Sequence, residues 1–243
     1  MRKETLWEAK KKQNPGHSAW YIQRFAQMRE QGADLHGEAR MVDAMLPRGA
    51  RILDAGAGPG RVGGELARRG HAVVGVDVDP ELIDAARNDH PQATWLVGDL
   101  TELDLPAEGI REPFDLIVCA GNVMTFLAPG TAREVLARMN AHLAPEGRVV
   151  IGFGAGRGYD FEQFFADAEA AGLSVELKLS TWDLRPLTPD SGFLVAVLSA
   201  APGGGESAVP SCWPQTPRRH CIRTRWPAWP AGPRRRQDPS SPP

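Results

Sequence analysis

The sequence predicts an α/β fold in which helices cover both faces of a doubly wound sheet. Seven continuous apolar runs of strand length alternate, over most of the chain, with stretches of helical periodicity. Such alternation indicates right-handed βαβ units, and strands that are apolar along their whole length suit burial on both faces. The runs are residues 51–54, 71–77, 93–97, 115–120, 147–153, 173–179 and 193–198.

A glycine-rich loop follows the first predicted strand. Asp54 is followed by Gly56, Gly58 and Gly60, and a helical pattern begins directly afterwards. Glycine adopts positive φ angles freely and has no Cβ to hinder a ligand. The N–H groups at a helix start attract a negatively charged group. The loop therefore predicts a site for a nucleotide-like cofactor.

Two kinds of cofactor compete for this loop. The spacing Gly58-x-Gly60-x-x-Gly63 fits the pattern of dinucleotide-binding proteins, and Asp77 lies close to the position of their ribose-binding acid. That interpretation predicts an NAD(P)-dependent oxidoreductase. Asp54 favours a different cofactor, because a carboxylate beside the loop does not help a pyrophosphate. It would instead attract a ligand that carries ammonium and sulfonium groups.

Acidic residues also mark the ends of the second and third predicted strands. Asp77 ends the second run, and Asp99 follows the third. Together with Asp54 and the glycine loop, they stand in the order and spacing of the class I S-adenosylmethionine-dependent methyltransferases. The chain resembles this family over about residues 50–199. The resemblance implies S-adenosylmethionine as cofactor and a Rossmann-like seven-stranded sheet, mostly parallel, with one antiparallel strand near the C-terminus.

The resemblance also implies which residues hold the adenosine half of the cofactor. Asp77 would bind both ribose hydroxyls, since a carboxylate offers two acceptor oxygens. Asp99 would accept a hydrogen bond from the adenine amino group. Val78 and Leu100 would enclose the adenine ring between apolar side chains.

For the methionine half, the resemblance points to the glycine loop. Asp54 would act on the ammonium group at long range or through the geometry of the loop. Asn122 would contact the methionine portion or the acceptor, or would only support its own loop. The implied cofactor-binding residues are Asp54, Gly56, Ala57, Gly58, Gly60, Asp77, Val78, Asp99, Leu100 and Asn122.

Two stretches with helical periodicity precede the loop, and we expect an N-terminal helical cap over residues 1–48. The first stretch covers residues 17–28, and the second covers residues 38–46. We expect the second helix to pack on the sheet. For the first, the resemblance implies a lid over the cofactor, and plain packing stays the alternative.

Acceptor-side residues are expected in two places. Tyr21 shares a helical face with Phe25, and Arg24 lies beside that face. The family often places further acceptor contacts in the segment that holds Trp182 and Arg185. Tyr21, Arg24, Trp182 and Arg185 are therefore the candidate substrate residues.

No residue stands out as a catalytic base, and methyl transfer needs one only where the acceptor must lose a proton. The loop after the fourth strand contains no Asp-Pro-Pro-Tyr or Asn-Pro-Pro-Tyr, which disfavours the amino-directed nucleic acid methyltransferases. No cluster of His, Cys and Asp has metal-ligand spacing. The sequence therefore predicts methyl transfer to a small molecule, with no metal. The alternatives are the oxidoreductase and a protein that binds S-adenosylmethionine without catalysis.

The charge distribution separates a body from a tail. The chain carries a net charge of −2, and its residues from Ala201 onward carry +5, which leaves −7 for residues 1–200. A body this acidic argues against a nucleic acid partner. No run suits a signal sequence or a membrane span, and the three cysteines suggest no disulfide framework. We expect a cytoplasmic protein without a membrane partner; its oligomeric state is open.

The last segment, residues 201–243, is rich in Pro and Arg and poor in the aliphatic residues that build a core. We expect it to be disordered and to follow a cofactor-binding domain of residues 49–200. Its composition changes abruptly after the last predicted strand, which suggests an out-of-frame extension. Deleting it should then leave stability and cofactor affinity unchanged.

Overall fold

Three helices precede the sheet in the computed structural model, which describes residues 2–202. They are α1 (Leu6–Gln13), α2 (His17–Glu30) and α3 (Gly37–Ala44). The two expected N-terminal helices correspond to α2 and α3. Helix α1 is not anticipated, because three lysines dominate it and Trp7 is its buried residue. Thr5 and Glu8 form a capping box at its start, each side chain accepting a hydrogen bond from the other's backbone N–H.

The described residues form one seven-stranded sheet in the order β3-β2-β1-β4-β5-β7-β6. Strand β7 runs antiparallel to β5 and β6, and the remaining pairs are parallel. The predicted fold class is therefore confirmed. The strands are β1 (Arg51–Ala55), β2 (Ala72–Asp77), β3 (Thr94–Val97), β4 (Phe114–Cys119), β5 (Leu143–Gly154), β6 (Leu173–Leu179) and β7 (Phe193–Ala200). The covering helices are α4 (Arg61–Arg68), α5 (Pro80–Asp89), α6 (Ala132–Ala141) and α7 (Phe161–Ala170).

The strand order reverses between β1 and β4, which lie side by side at the centre of the sheet. Asp54 on β1 pairs with Gly75 on β2 and with Val118 on β4. Asp77, at the end of β2, pairs with Val97 at the end of β3. The acids and the glycine loop therefore lie at one edge of the sheet. In open α/β sheets, the carboxyl edge beside such a reversal is where ligands bind.

The core lies on both faces of the sheet. One face is filled by a large cluster that includes Phe114, Phe153 and Phe164, all fully buried. The other face buries Ile52 against Val42 of α3, in a cluster with residues of α4. Helix α3 thus packs on the sheet, as expected. Burial on both faces explains why the strands are continuous apolar runs.

Trp95 of β3 explains several glycines that surround it. A Cβ on Gly75 of the neighbouring strand would lie 2.2 Å from the indole ring. A Cβ on Gly63 of α4 would lie 3.0 Å from the same ring and 2.8 Å from an Asp54 oxygen. Gly63 is therefore required by packing. Gly63 is the last glycine of the spacing that resembles dinucleotide-binding proteins, and packing explains its presence without any need for a bound pyrophosphate.

The structure bears on two sequence-based expectations, the absence of a membrane span and the position of the tail. No helix among residues 2–202 is both long enough and apolar enough to cross a membrane. Strand β7 ends at Ala200, and the expected disordered tail, residues 201–243, lies outside the described residues from residue 203 onward. The boundaries of cap, cofactor domain and tail remain predictions.

Candidate active site

A cleft opens at the carboxyl edge of the sheet, beside the reversal in strand order. This first cavity has a volume of about 630 Å³ including its open mouth. Its walls come from the loops after four strands and from the N-terminal helices. It is lined by Thr5, Trp7, Tyr21, Gly56, Gly58, Asp77, Val78, Leu82, Gly98, Asp99, Leu100, Ala120, Gly121, Val123, Phe126 and Leu127.

Asp77 lines the first cavity from the end of β2. One of its carboxylate oxygens accepts a hydrogen bond from the N–H of Gly58 at 2.8 Å, and the other accepts one from the N–H of Asp79 at 2.9 Å. Burial raises the pKa of Asp77 to about 6, although these hydrogen bonds act in the opposite direction. Each oxygen keeps an unused lone pair, so the side chain can still accept from two hydroxyl groups.

Asp99 lines the same cavity beyond the end of β3 and is 8% exposed. One oxygen accepts hydrogen bonds from the N–H and the hydroxyl of Thr101, each at 2.9 Å. The other accepts one from the Arg2 guanidinium at 2.6 Å. Val78 and Leu100 contribute apolar wall to this part of the cavity. An acceptor group beside apolar walls is a suitable site for a flat heterocycle with an amino group.

The glycine loop has the backbone that its sequence predicts. Gly56, Gly58 and Gly60 have φ angles of 83°, 53° and 81°. A Cβ on Gly56 would lie 2.3 Å from Val123, so the loop and the segment after β4 are in close contact. Gly60 lines neither this cavity nor the second one described below. A Cβ there would press on Trp95 at 3.0 Å, so this glycine is explained by packing.

Asp54 is 2% exposed and holds the start of α4. Its carboxylate accepts a hydrogen bond from the N–H of Gly63 at 2.8 Å. Burial raises the pKa of Asp54 to about 7, against the opposing effects of the Gly63 hydrogen bond and the positive charge of Arg61. The contact with Gly63 agrees with the expected role of Asp54 in the geometry of the loop.

A second, smaller cavity adjoins the first. It has a volume of about 320 Å³ including its open mouth. Five residues line both cavities, so the two cavities are adjacent. The second cavity is lined by Tyr21, Phe25, Asp54, Gly56, Ala57, Gly58, Pro59, Arg61, Val62, Ala120 and Gly121.

Aromatic side chains of α1 and α2 form a wall of the site. Trp7 meets Tyr21 edge to face, with 5.4 Å between ring centroids, and Tyr21 meets Phe25 in the same way at 5.0 Å. Tyr21 lines both cavities. Burial raises the pKa of Tyr21 above its ordinary value, so the phenol stays protonated at neutral pH. The wall is therefore largely apolar, with Trp7 buried and Tyr21 and Phe25 partly exposed.

One carboxylate fixes the position of this wall. Asp79 accepts hydrogen bonds from the Trp7 indole at 2.8 Å, from Lys11 at 2.6 Å and from the Ser18 hydroxyl. It also caps α5 by accepting from the N–H of Glu81, with Pro80 at the first helical position. Helices α1 and α2 are thereby attached to the start of α5, next to Asp77.

Comparison with known proteins identifies the family. A model of the methyltransferase domain family matches residues 52–147. The structure of a TehB-like S-adenosylmethionine-dependent methyltransferase from Corynebacterium glutamicum is 50% identical to the chain, with a TM-score of 0.73. The match covers 77% of this chain and 100% of that one. The chain belongs to the class I S-adenosylmethionine-dependent methyltransferases.

Curated relatives match over shorter stretches. The magnesium-protoporphyrin O-methyltransferase of Rhodobacter capsulatus is 39% identical over 90 residues, which are 35% of this chain and 38% of that protein. An uncharacterized methyltransferase of Mycobacterium bovis is 35% identical over 109 residues, which are 44% of this chain and 42% of that protein. The matched region thus spans about two fifths of the length of these relatives.

S-adenosylmethionine is therefore the cofactor of this methyltransferase, and the family decides the choice that the glycine spacing left open. The first cavity fits the cofactor on its own observations. Asp77 can accept from two hydroxyls, and Asp99 lies beside the apolar side chains of Val78 and Leu100.

Some predicted site residues do not line either cavity of this methyltransferase. The Asn122 side chain accepts a hydrogen bond from the N–H of Gly154 at 2.8 Å, which ties its loop to β5. Its own φ is 69°, a value that favours glycine or asparagine. This placement favours loop support, one of the roles expected for Asn122.

Three of the four candidate substrate residues also lie away from the cavities. Arg24 is exposed, with its guanidinium over the Trp20 ring at 5.8 Å. Trp182 is partly buried and packs over Gly152 of β5, where a Cβ would lie 2.4 Å from the ring. Arg185 is exposed and reaches Asp183. Tyr21 is the candidate that the structure brings to the site.

Several cavity residues were not predicted from the sequence. Thr5 and Trp7 belong to α1, and the Thr5-x-x-Glu8 capping-box pattern is the signal that could have revealed that helix. Phe126 and Leu127 follow β4 and line the first cavity. Arg61 lines the second cavity, and no pattern marked it, because its place depends on how α4 meets the cap.

Proposed function

We propose that this methyltransferase transfers the methyl group of S-adenosylmethionine to a small-molecule acceptor that binds beneath the N-terminal helices. The observation that carries the proposal is the aromatic wall of Trp7, Tyr21 and Phe25 over the two cavities. A site walled in this way suits a small acceptor better than a nucleic acid strand. The net charge of −7 on residues 1–200 supports the same choice.

The first cavity holds the adenosine half of the cofactor in this proposal. Asp77 binds the ribose hydroxyls through the lone pairs that Gly58 and Asp79 leave unused. Asp99 accepts from the adenine amino group, and Val78 and Leu100 enclose the ring. Two acids at neighbouring strand ends set the orientation of the bound molecule.

The second cavity holds the methionine half. Gly56 and Gly58 line both cavities, so their bare backbone lies where the two cavities adjoin. Asp54 lines the second cavity and supplies a carboxylate for the ammonium group. Arg61 lines it as well.

In this proposal, catalysis depends on how the acceptor is positioned relative to the methyl group. When bound, S-adenosylmethionine supplies a methyl group that is already activated for transfer. The protein holds the acceptor in one orientation and, through Tyr21 and Phe25, keeps water away from the site. Orientation of this kind contributes about 7–11 kcal/mol in well-aligned reactions. Tyr21 stays protonated and Asp54 is engaged with Gly63, so neither side chain is assigned as a base.

The relatives do not define the acceptor. The Rhodobacter capsulatus protein is a magnesium-protoporphyrin O-methyltransferase, and the shared region is 38% of its length. We therefore propose that the acceptor is a small molecule, and we do not assign magnesium-protoporphyrin as the substrate of this chain.

Two measurements on the full-length protein test the proposal. Calorimetry should show binding of S-adenosylmethionine and S-adenosylhomocysteine and none of NAD(H). Formation of S-adenosylhomocysteine should then be followed with separate low-molecular-mass, protein and RNA fractions of a cell extract, with Asp77→Ala as the variant expected to lose turnover. Turnover confined to the low-molecular-mass fraction supports the proposal. Turnover confined to RNA or protein would overturn it, and binding without turnover in any fraction would indicate a sensor of the cofactor.

A further inference from the structure

Arg157 lies in the loop after β5, at the carboxyl edge of the sheet where the two cavities open. Gly156 and Gly158 on either side of it have φ angles of 69° and 83°, so the backbone turns sharply around this residue. Its side chain folds back over the end of β5. A Cβ on Gly154 would lie 3.1 Å from Nε and 3.7 Å from Cδ of Arg157. The glycine at position 154 therefore makes room for the arginine at this edge.

The guanidinium of Arg157 has no ionic partner among the residues that the structure describes. The side chain is exposed, no carboxylate in this part of the chain lies within 4.0 Å of the guanidinium, and its N–H groups donate no hydrogen bond there. Arg148 of β5, by contrast, pairs with Glu176 at 2.9 Å, and Arg185 reaches Asp183. A guanidinium has five N–H groups in a fixed plane, and those of Arg157 are available to a ligand.

Asn122 brings a second free donor group to the same place. Its Oδ1 would lie 3.4 Å from a Cβ on Gly154, so it borders the space that Arg157 occupies. Because a backbone N–H can only donate, the hydrogen bond from the N–H of Gly154 identifies this atom as the amide oxygen. Nδ2 then points away from β5, and its two N–H groups donate to no described residue. Asn122 lies between Gly121 and Val123, which both line the first cavity.

The acids of the site lie on its other side. The acids that line the two cavities, Asp54, Asp77 and Asp99, stand at the ends of β1, β2 and β3. The segment after β4, residues 120–131, contains no acid. Asp160, on the loop after β5, is the residue before α7 and forms no ion pair among the described residues. The ends of β4 and β5 thus offer hydrogen-bond donors and a positive charge, which is complementary to an anionic ligand.

We propose that the methyl acceptor carries an anionic group, a carboxylate or a phosphate, and that Arg157 binds this group together with Nδ2 of Asn122. This inference rests on the proposed function and names the chemical class of its substrate. A planar guanidinium matches two oxygens of either group. The anionic group holds one end of the acceptor beside Gly121, and the rest of the molecule reaches the place where the cavities adjoin. Tyr21 lines both cavities there and offers an aromatic surface to the acceptor.

A matched pair of small probes tests the charge. Benzoate and benzamide have nearly the same shape, and only benzoate is an anion at neutral pH. Calorimetry with the full-length protein, saturated with S-adenosylhomocysteine, should show that the wild type binds benzoate roughly fivefold to tenfold more tightly than benzamide. Raised salt should reduce this preference. Phenyl phosphate, measured in the same way, decides between the two anionic groups.

Two kinds of variant locate the binding group. Arg157→Gln should remove the preference for benzoate and leave the affinity for S-adenosylhomocysteine unchanged, because Arg157 lines neither cavity. Arg157→Lys keeps the charge but loses the planar set of donors, and it should show an intermediate preference. Asn122→Asp keeps an oxygen for the N–H of Gly154 but replaces Nδ2 by a second oxygen, so it should lose the preference while the protein stays folded.

Arg111→Gln is the matched control. Arg111 is exposed and precedes β4, so it lies at the opposite edge of the sheet. This variant removes the same charge and should keep the wild-type preference for benzoate.

Turnover connects the anion site to the reaction. The low-molecular-mass fraction of a cell extract is passed over an anion exchanger at neutral pH, and the acceptor activity should be in the retained part. With that material, Arg157→Gln should raise the KM of the acceptor by roughly the same factor of five to ten. Arg111→Gln should leave it unchanged.

The outcomes separate this inference from the proposed function. Equal binding of benzoate and benzamide by the wild type, or a full preference in Arg157→Gln, overturns the inference. Acceptor activity found only in the unretained part also overturns it and leaves the proposed function intact. If Arg157→Gln weakens S-adenosylhomocysteine as much as benzoate, the residue has only a structural role, and the inference is again wrong. Turnover confined to RNA or protein would overturn the proposed function, and a benzoate preference that is lost in Arg157→Gln would still assign the anion site.

Discussion

The guanidinium of Arg2 lies 2.6 Å from the carboxylate of Asp99, the acid that follows β3. Arg2 is itself held by Glu8 of α1, through hydrogen bonds of 2.5 and 3.1 Å. The Arg2 hydrogen bond and burial act in opposite directions on Glu8, and the hydrogen bond prevails and lowers the pKa of Glu8 to about 2. The start of the chain is thereby attached to the part of the first cavity that we assign to adenine. Asp99, which we propose accepts a hydrogen bond from the adenine amino group, is therefore oriented by Arg2, a residue that does not belong to the sheet.

Arg2→Ala should weaken cofactor binding. The change removes the charged partner that orients Asp99 and detaches residues 2–5 from the rim of the cavity. A partly exposed ion pair contributes at most about 1 kcal/mol, which corresponds to roughly a fivefold loss of affinity. Calorimetry with S-adenosylhomocysteine measures it, and Lys3→Ala is the control, since Lys3 is its exposed neighbour. Wild-type affinity in Arg2→Ala would show that Asp99 needs no partner.

Asp79→Ala should destabilise the protein. Its carboxylate is fully buried and accepts from Trp7, Lys11 and Ser18 as well as from the first turn of α5. Loss of a helix cap costs about 1 kcal/mol, and buried donors left without an acceptor add about 1–3 kcal/mol. Urea denaturation should therefore show a loss of about 2–4 kcal/mol in the free energy of unfolding.

Asp84→Ala is the matched control for Asp79→Ala. Asp84 lies on the same helix, and its exposed side chain contacts Arg87. We expect a change of less than about 0.5 kcal/mol. Equal effects of the two substitutions would show that Asp79 does not hold the N-terminal helices.

The fold was predictable because its signals are local. Each strand is a continuous apolar run, and the adjacent residues Asp79 and Pro80 form a local signal for the start of α5. Helix α1 was missed because its stability depends on contacts far away in sequence. Trp7 reaches Asp79, and the N–H groups of Leu6 and Trp7 both donate to the Phe126 carbonyl. The sequence of residues 6–13 alone does not indicate that Asp79 and Phe126 are their partners.

The candidate site divides in the same way. Asp77 and Asp99 were predictable, because an acid at the end of a parallel strand lies at the carboxyl edge whatever surrounds it. The site residues contributed by the N-terminal helices were not predictable, since their positions depend on how separate segments of the chain pack together. Arg24 and Tyr21 share α2, yet Tyr21 faces the cavities while Arg24 is exposed. Asn122 was placed in the right loop, but its side chain turns to Gly154.

Gly75→Ala should destabilise the sheet by overpacking. A Cβ at this position would lie 2.2 Å from Trp95, whose indole N–H is fixed by a hydrogen bond to the His90 carbonyl. Overpacking in a dense core costs about 1–3 kcal/mol, measurable as a lower urea midpoint. Gly192→Ala is the control, since it is exposed and has nothing within 4 Å of the new Cβ. If both variants unfold alike, Trp95 can move and Gly75 is not required.

The buried acids predict that cofactor binding releases protons near pH 6.5. Burial raises the pKa values of Asp54 and Asp77 to about 7 and about 6, from an ordinary value of 3.8. Between pH 4 and 7 the free folded protein therefore holds protons that the unfolded chain has lost, and these two acids stabilise the fold less as the pH rises. An ammonium group beside Asp54 favours the carboxylate, so its pKa falls on binding. Affinity should then increase with pH up to about pH 7.

Calorimetry with S-adenosylhomocysteine in two buffers of different ionisation enthalpy measures this release directly. Asp54→Asn keeps a carbonyl oxygen for the N–H of Gly63 but cannot titrate, so most of the proton release should disappear while the fold is retained. The same variant should stabilise the ligand-free protein at pH 7 and above, because it removes a buried carboxylate. Affinity that falls as the pH rises from 5.5 to 7, or equal release in the variant, would show that Asp54 does not meet the ammonium group.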